Sequence, residues 1–251
     1  YTNIAEAGTL QMEWRALGDA TEKADLKTGR VRAERVMLAM VRSLDRSKVP
    51  GSTLYDSDTP GKVEFRNEVS MAGNSDSFFE YLLKVHLQGG SSTAEKHYRD
   101  AFEDMMRATF KTLIKSDGGM MRVIHNAPTR DVMDHLACFL PGSLALAANS
   151  KGSSLSEEER KKFMEVAAGL TETCYNMYHM SPSGLAPEQL HWSGSDMIGP
   201  AARYNIQRPE AVEAIFYMWR FTKDPKYREW NWEIYQAFER VLRVEGGYAS
   251  L

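Results

Sequence analysis

Apolar residues recur at helical spacing along most of the chain, and the helices they predict come in consecutive pairs. Ala7, Leu10, Trp14 and Leu17 share one stripe of a first helix. A polar turn around "DATEKADLKTG" separates it from a second, "RVRAERVMLAMVRSL". A long connection rich in Gly, Pro, Ser and Asp runs from about Ser47 to Ser75, and its "STLYDSDTPGKVEF" predicts a short β-hairpin across a Thr-Pro-Gly turn. Helical period resumes at "SFFEYLLKVHLQ", stops at Gly89-Gly90, and returns in the partner "AEKHYRDAFEDMMRATFKTLI". After a short strand at "GMMRVI" comes "VMDHLACFLPGSLALAA", which Pro141 should kink or interrupt, paired with "SEEERKKFMEVAAGLTETCYNMY". "GLAPEQLHW" and a glycine-containing loop lead to "YNIQRPEAVEAIFYMWR", and "PKYREWNWEIYQAFERVL" closes the set. The expected fold is all-α: about four helical hairpins, with minor β-hairpins in the loops, stacked as a solenoid or closed into an α/α toroid. No strict short repeat supports a tetratricopeptide-type array.

Several polar side chains interrupt this pattern where a helix begins. Pro209 suits a first helical position, and Glu210 and Glu213 follow on one stripe that continues into Tyr217. Val212, Ile215, Phe216 and Trp219 mark the adjoining face as buried. Acids in a first turn are favoured by the helix dipole alone, so the pattern by itself reads as ordinary helix-start chemistry. Asp76 precedes "SFFEYLLK" and is placed to cap that helix, while Ser77 and Glu80 have capping-box spacing. Glu6 shares a stripe with Leu10 and Leu17, His135 reads as a hydrogen-bonded core histidine beside "LACFL", and Arg208 neutralises neighbouring acids. Each is unremarkable alone, but all lie at helix starts facing the interior, where a toroid would gather them around its axis.

Composition narrows the function classes. The chain has 251 residues, 43% hydrophobic and 26% charged, with a formal net charge of −3. That balance, with a pI near 6.1, gives no electrostatic case for nucleic acid or an anionic membrane. No apolar run approaches the roughly 18 residues of a membrane span, and no N-terminal signal-peptide pattern is present. A glycine-rich phosphate loop, zinc-ligand spacing and a G-x-S-x-G elbow are all missing. The abrupt start and stop lead us to expect an internal piece of a longer polypeptide. Cys138 and Cys174 permit either buried free thiols or a bridge, and composition leaves both open.

"DSFFEYLLK", "MDHLACFLPG", "TCYNMY", "GLAPE", "QRPEAVEAIFYMWRFTKDPKYREWNWEIYQAFER" and "GGYAS" closely resemble the class I α-1,2-mannosidases, family 47 of the glycoside hydrolases. The resemblance runs from about Ala5 to Ser250, with the motifs in the family's order. It implies a partial α/α-barrel catalytic domain over residues 1–251, cut from a barrel of seven helical hairpins. The implied activity is inverting, Ca²⁺-dependent trimming of α-1,2-linked mannose from high-mannose N-glycans in the lumen of the ER or Golgi, or after secretion. By motif, Glu210 matches the base that activates water and Asp76 the acid or its helper. Glu6, His135, Arg208 and Glu213 match residues lining the sugar pocket. Asn74 stands where ER-type members carry arginine and, being short and uncharged, lacks the arginine fork. Cys138 and Cys174 match the family's disulfide pair. The resemblance also places one acidic motif upstream of Tyr1 and the Ca²⁺-binding threonine segment beyond Leu251, so no metal ligand is expected in this chain, and the missing terminal segments of the same protein become candidate partners. The rival readings are a glycan-binding quality-control protein like the EDEM group, an inactive lectin-like module, or an unrelated helical scaffold.

Overall fold

The computed structural model describes residues 1–90, 95–117, 120–124, 131–193 and 196–251. Ala94, Gly119 and Gly194, at the edges of expected elements, lie outside the described residues. The chain divides into two compact units, Tyr1–Thr112 with Lys151–Ser154, and Leu113–Ser150 with Leu155–Leu251.

In the first unit a two-residue strand β1 (Thr2–Asn3) leads into α1 (Ile4–Gly8), α2 (Gln11–Asp19) and α3 (Ala24–Ser43). Asn3 caps α1 by accepting the Glu6 N–H at 2.7 Å. The expected first helix is therefore two, and its buried face is not the apolar stripe. Leu10 and Leu17 are exposed, while Gln11, Arg15 and Gly18 are buried. The reason is compensation: Gln11 Nε2 donates to Ala33 O at 3.3 Å, and Arg15 is held by Glu34, by Glu95 at 2.9 Å and by the Val85 carbonyl at 3.1 Å. Trp14 lies over Gly29, where an added Cβ would meet its ring at 2.2 Å. The second helix starts well before "RVRAER", inside the supposed polar turn.

Strands β2 (Gly51–Asp56) and β3 (Val63–Val69) form the expected antiparallel hairpin, and β1 pairs on its open edge. Helix α4 (Asp76–Gln88) then packs on α5 (Lys96–Thr112), burying Phe78, Phe79, Leu82, Phe102, Met105 and Met106. Gly8 lets Phe78 approach α1, since a Cβ there would sit 2.5 Å from the ring. His86, in the last turn of α4, is buried, and burial, followed by the charge of Arg99, pushes its pKa below the ordinary 6.5. Glu95 and Asp100 oppose that shift without reversing it. A histidine depressed in the folded state contributes stability that is present above the unfolded pKa and is lost as pH falls from there toward the folded pKa. His86→Leu should therefore flatten the fall in melting temperature between about pH 7 and pH 5, around the unfolded value. An unchanged slope in thermal melts across that range would remove His86 from the account.

In the second unit β4 (Ile114–Asp117) pairs with β5 (Met120–Val123). Strand β6 (Val132–Asp134), a 3-10 turn at His135–Cys138 and α6 (Phe139–Asn149) replace the single kinked helix expected there. Pro141 does not kink α6, because it falls in the first turn, where its missing N–H has no intrahelical acceptor to lose. Helix α6 is buried over nearly its whole length and packs on α7 (Glu157–His179). A capping box starts α7, with Ser156 and Glu159 each satisfying the other's backbone N–H. Strands β7 (Gln189–Ser193) and β8 (Asp196–Ala202) extend β6 into a three-stranded antiparallel sheet where a loop was expected. Helices α8 (Glu210–Thr222) and α9 (Lys226–Val241) form the last hairpin, followed by a small β9–β10 ribbon (Arg243–Val244 and Gly247–Tyr248). On α8 the buried residues are Ala211, Ala214, Ile215 and Met218, whereas Phe216 is 48% exposed, so the apolar face is turned from the one expected. Small alanines and Gly142 allow the α6–α8 contact: a Cβ on Gly142 would lie 3.4 Å from the Ala214 backbone. Among the described residues no helix is long and apolar enough to cross a membrane.

Cys138 and Cys174 are bridged, with Cα atoms 5.9 Å apart. The bridge ties the 3-10 turn to α7. Replacing both cysteines with alanine is expected to cost about 3–4 kcal/mol in urea unfolding, from the loop that the bridge closes in the unfolded chain. A loss below about 1 kcal/mol would show that the bridge does not constrain the unfolded chain in this way.

Candidate active site

The second unit gathers polar side chains at the start of α8, and local backbone pairing brings them there. Asp134 and Gln189 are partners across β6 and β7, and the His135 N–H donates to Glu188 O at 2.8 Å. The Asp134 carboxylate caps the 3-10 turn through the Leu136 N–H at 2.9 Å and accepts Gln189 Nε2 at 3.0 Å. With its turn fixed in this way, His135 points inward at 2% exposure. Its Nε2 lies 2.8 Å from Tyr178 Oη, and its Nδ1 faces Glu210 Oε2 at 3.7 Å. The core histidine expected from the sequence forms, and it also faces the candidate base.

Glu210 is the first residue of α8, beyond the N-cap Pro209, at the positive end of the helix dipole. Its side chain is 19% exposed, yet Oε2 is buried and, among the described residues, has no hydrogen-bond partner; the same holds for His135 Nδ1. Glu213 lies one turn on, half-buried, its N–H bonded to Pro209 O at 2.9 Å. Arg208 is not paired directly with Glu210. Its Nε reaches both oxygens of Glu188, at 2.6 and 2.7 Å, and Nη2 contacts the same carboxylate. That bond raises the guanidinium pKa further, with the charges of Glu210 and Asp134 adding to it. The chain reverses ahead of Arg208 because Gln207 takes a left-handed conformation (φ 61°) and Asn205 Oδ1 accepts the Gln207 N–H at 3.0 Å. Glu188, Tyr178 and Asn205 carry no role in the sequence reading. The only signal for Glu188 is an acid set among Leu185, Ala186, Pro187 and Leu190, all buried here.

The other candidates lie in the first unit. Asp76 is the first residue of α4; it does not supply the N-cap, which is Ser75, and its Oδ1 accepts the adjacent Ser77 N–H at 2.9 Å. Glu80 pairs with Lys84 instead of closing a capping box. Asn74 is exposed in a left-handed conformation (φ 73°), which asparagine tolerates better than most residues, and its carbonyl accepts the Ala5 N–H at 3.0 Å. Glu6 is exposed rather than interior, and accepts Thr2 Oγ1 at 3.1 Å. Among the described residues no group of three or more His, Cys, Asp or Glu side chains could hold a metal ion.

A carboxylate with one shielded oxygen, an imidazole against it and an Arg–Glu pair beside it can accept a proton and bind hydroxyl groups. The profile of Glycosyl hydrolase family 47 matches residues 1–251. The chain is 36% identical over 252 residues to mannosyl-oligosaccharide 1,2-alpha-mannosidase MNS1 of Arabidopsis thaliana, covering 99% of this chain and 43% of that protein. It is 32% identical over 260 residues to the endoplasmic reticulum mannosyl-oligosaccharide 1,2-alpha-mannosidase of Homo sapiens, covering 100% of this chain and 36% of that protein. It therefore spans less than half the length of either relative. The solved alpha-1,2-mannosidase from Trichoderma reesei shares the fold, with a TM-score of 0.81 at 24% identity over 100% of this chain and 54% of that one. The chain belongs to glycosyl hydrolase family 47.

Proposed function

We propose that residues 1–251 form part of one catalytic domain that hydrolyses α-1,2-linked mannose from high-mannose N-glycans with inversion at the anomeric carbon. The observation that carries this reading is the buried Glu210 Oε2, without a hydrogen-bond partner among the described residues and set against His135 at the start of α8. A buried carboxylate oxygen left unpaired costs stability, and a role in binding or catalysis accounts for keeping it. The names of the curated relatives supply the substrate class.

In this reading Glu210 takes a proton from the attacking water as that water bonds to the anomeric carbon, and an acid protonates the departing oxygen on the opposite face. Asp76, matched by motif, is the proposed acid or its helper. His135, Arg208 and Glu213 bind sugar hydroxyls, with Glu188 holding the Arg208 fork in place; Glu6 and Asn74 are proposed, by motif, as further substrate-binding residues. Ca²⁺ belongs to the proposal as a requirement of the family, with no ligand assigned among the described residues and no step assigned to it. The proposed compartment is the ER or Golgi lumen or the extracellular space, to which the Cys138–Cys174 bridge is suited.

Proton NMR of the full-length protein acting on an α-1,2-linked manno-oligosaccharide tests the reading. The expected first product is β-mannose, which then mutarotates. Initial α-mannose would rule out inversion, and no mannose release would rule out hydrolysis.

A further inference from the structure

Asn205 is buried, and its amide orientation is fixed at both ends. Its Oδ1 accepts the Gln207 N–H at 3.0 Å and its Nδ2 donates to Ala186 O at 2.8 Å, so a flipped amide would set donor against donor and acceptor against acceptor. Its backbone is held as well, by reciprocal bonds with Leu251 at 2.9 and 3.0 Å. Tyr178 is buried nearby on α7.

A buried phenol has its own proton to place. Among the described residues the acceptor bonded to Tyr178 Oη is His135 Nε2, at 2.8 Å. If Nε2 carried a hydrogen instead, the hydroxyl would accept that bond and its own proton would be left buried, at the cost of an unsatisfied donor. The opposite side of the ring gives the same answer independently, because Nδ1 faces the Glu210 carboxylate at 3.7 Å. A hydrogen on Nδ1 is attracted by that charge, whereas a lone pair there would be repelled. Burial first, and the Glu210 charge second, push the Tyr178 phenol well above its ordinary range, so it stays a donor.

We propose that Tyr178 is a positioning residue that, together with the Glu210 carboxylate, holds His135 as its Nδ1–H tautomer, with the N–H aimed at Glu210 Oε2. The tautomer follows from the hydrogen-bond geometry alone; its consequence for turnover rests on the reading of Glu210 as the base. In that role the Tyr178–His135 pair fixes the orientation of the carboxylate that activates water, and Tyr178 acts through His135.

The test is ¹⁵N NMR of the protein labelled at histidine, at neutral pH. For His135 the expected spectrum has a pyrrole-type Nδ1 and a pyridine-type Nε2. Tyr178→Phe, which removes only the oxygen, leaves Nδ1 facing the Glu210 charge, so the Nδ1–H form should persist while the Nε2 signal moves to that of a pyridine-type nitrogen without a donor; in the full-length enzyme kcat should fall by about 10–100-fold with KM little changed, the range for loss of an outer-shell partner. A pyrrole-type Nε2 in the unaltered protein overturns the proposal without any variant having to fold, and an unmoved Nε2 signal in Tyr178→Phe overturns the part played by Tyr178. If the tautomer is as stated and the Nε2 signal moves in Tyr178→Phe while turnover stays normal, the hydrogen-bond inference stands and the assignment of Glu210 as base falls.

Discussion

Glu210→Gln in the full-length protein is expected to lower kcat by about 10²–10⁴-fold, the usual contribution of a positioned general base. Glutamine keeps the shape of the side chain and can keep an oxygen where Oε2 now faces His135 Nδ1 at 3.7 Å. It loses only the basicity that removes a proton from water. KM should therefore move little, and a glycan should still bind to the variant in calorimetry. Loss of binding together with turnover would make Glu210 a sugar ligand, and unchanged turnover would remove it from the chemistry altogether. The neighbourhood favours the clean outcome: Arg208 is already committed to Glu188 through both carboxylate oxygens, so neutralising Glu210 does not strand an arginine.

The largest stability effect is expected far along the chain from these residues, at Glu103 on α5. Its carboxylate and the guanidinium of Arg99 are both fully buried, and Arg99 Nε donates to Glu103 Oε1 at 2.8 Å. The pair is also a clamp on the turn from Lys151 to Ser154, which belongs to the same unit. Ser153 Oγ donates to Glu103 at 2.9 Å, Ser154 Oγ donates to it as well, and Arg99 Nη1 donates to Lys151 O at 3.0 Å. Glu103→Ala removes the buried carboxylate that Arg99 Nε and the Ser153 and Ser154 hydroxyls share. The expected cost is about 3–5 kcal/mol in urea unfolding. The double variant Arg99→Met, Glu103→Leu should lose less than the single one, because it removes both desolvated charges at once. A Glu103→Ala loss under about 1 kcal/mol would mean that Arg99 is satisfied without Glu103.

Helix pairing was legible in the chain because the 3.6-residue period survives wherever one side of a helix is covered, and α4, α5, α7 and α9 all fall close to the expected spans. The β2–β3 hairpin was equally legible from its alternation and turn residues. The site was legible in part: His135 and Glu210 do meet, but the motifs that pointed to them carry no information on what stands opposite.

What the sequence determined by itself was most of the helices, the β2–β3 hairpin and the family, since propensity and motif order are written in neighbouring residues, whereas the break between α1 and α2 and the β6–β7–β8 sheet were not legible there. Tertiary structure alone decided which faces are buried. Arg15 and Gln11 displaced Leu10 and Leu17 from the inner side of α2 because partners from other segments hold the Arg15 guanidinium and the Gln11 amide nitrogen, and Phe216 faces outward because small residues on α6 and α8 let those helices approach along another stripe. It also decided the pairing of charges. Arg208 lies two residues from Glu210 in sequence yet pairs directly with Glu188, because the left-handed turn at Gln207 and the β6–β7–β8 sheet carry the two side chains together. Electrostatic partnership depends on distance in space, and only the folded chain fixes that distance.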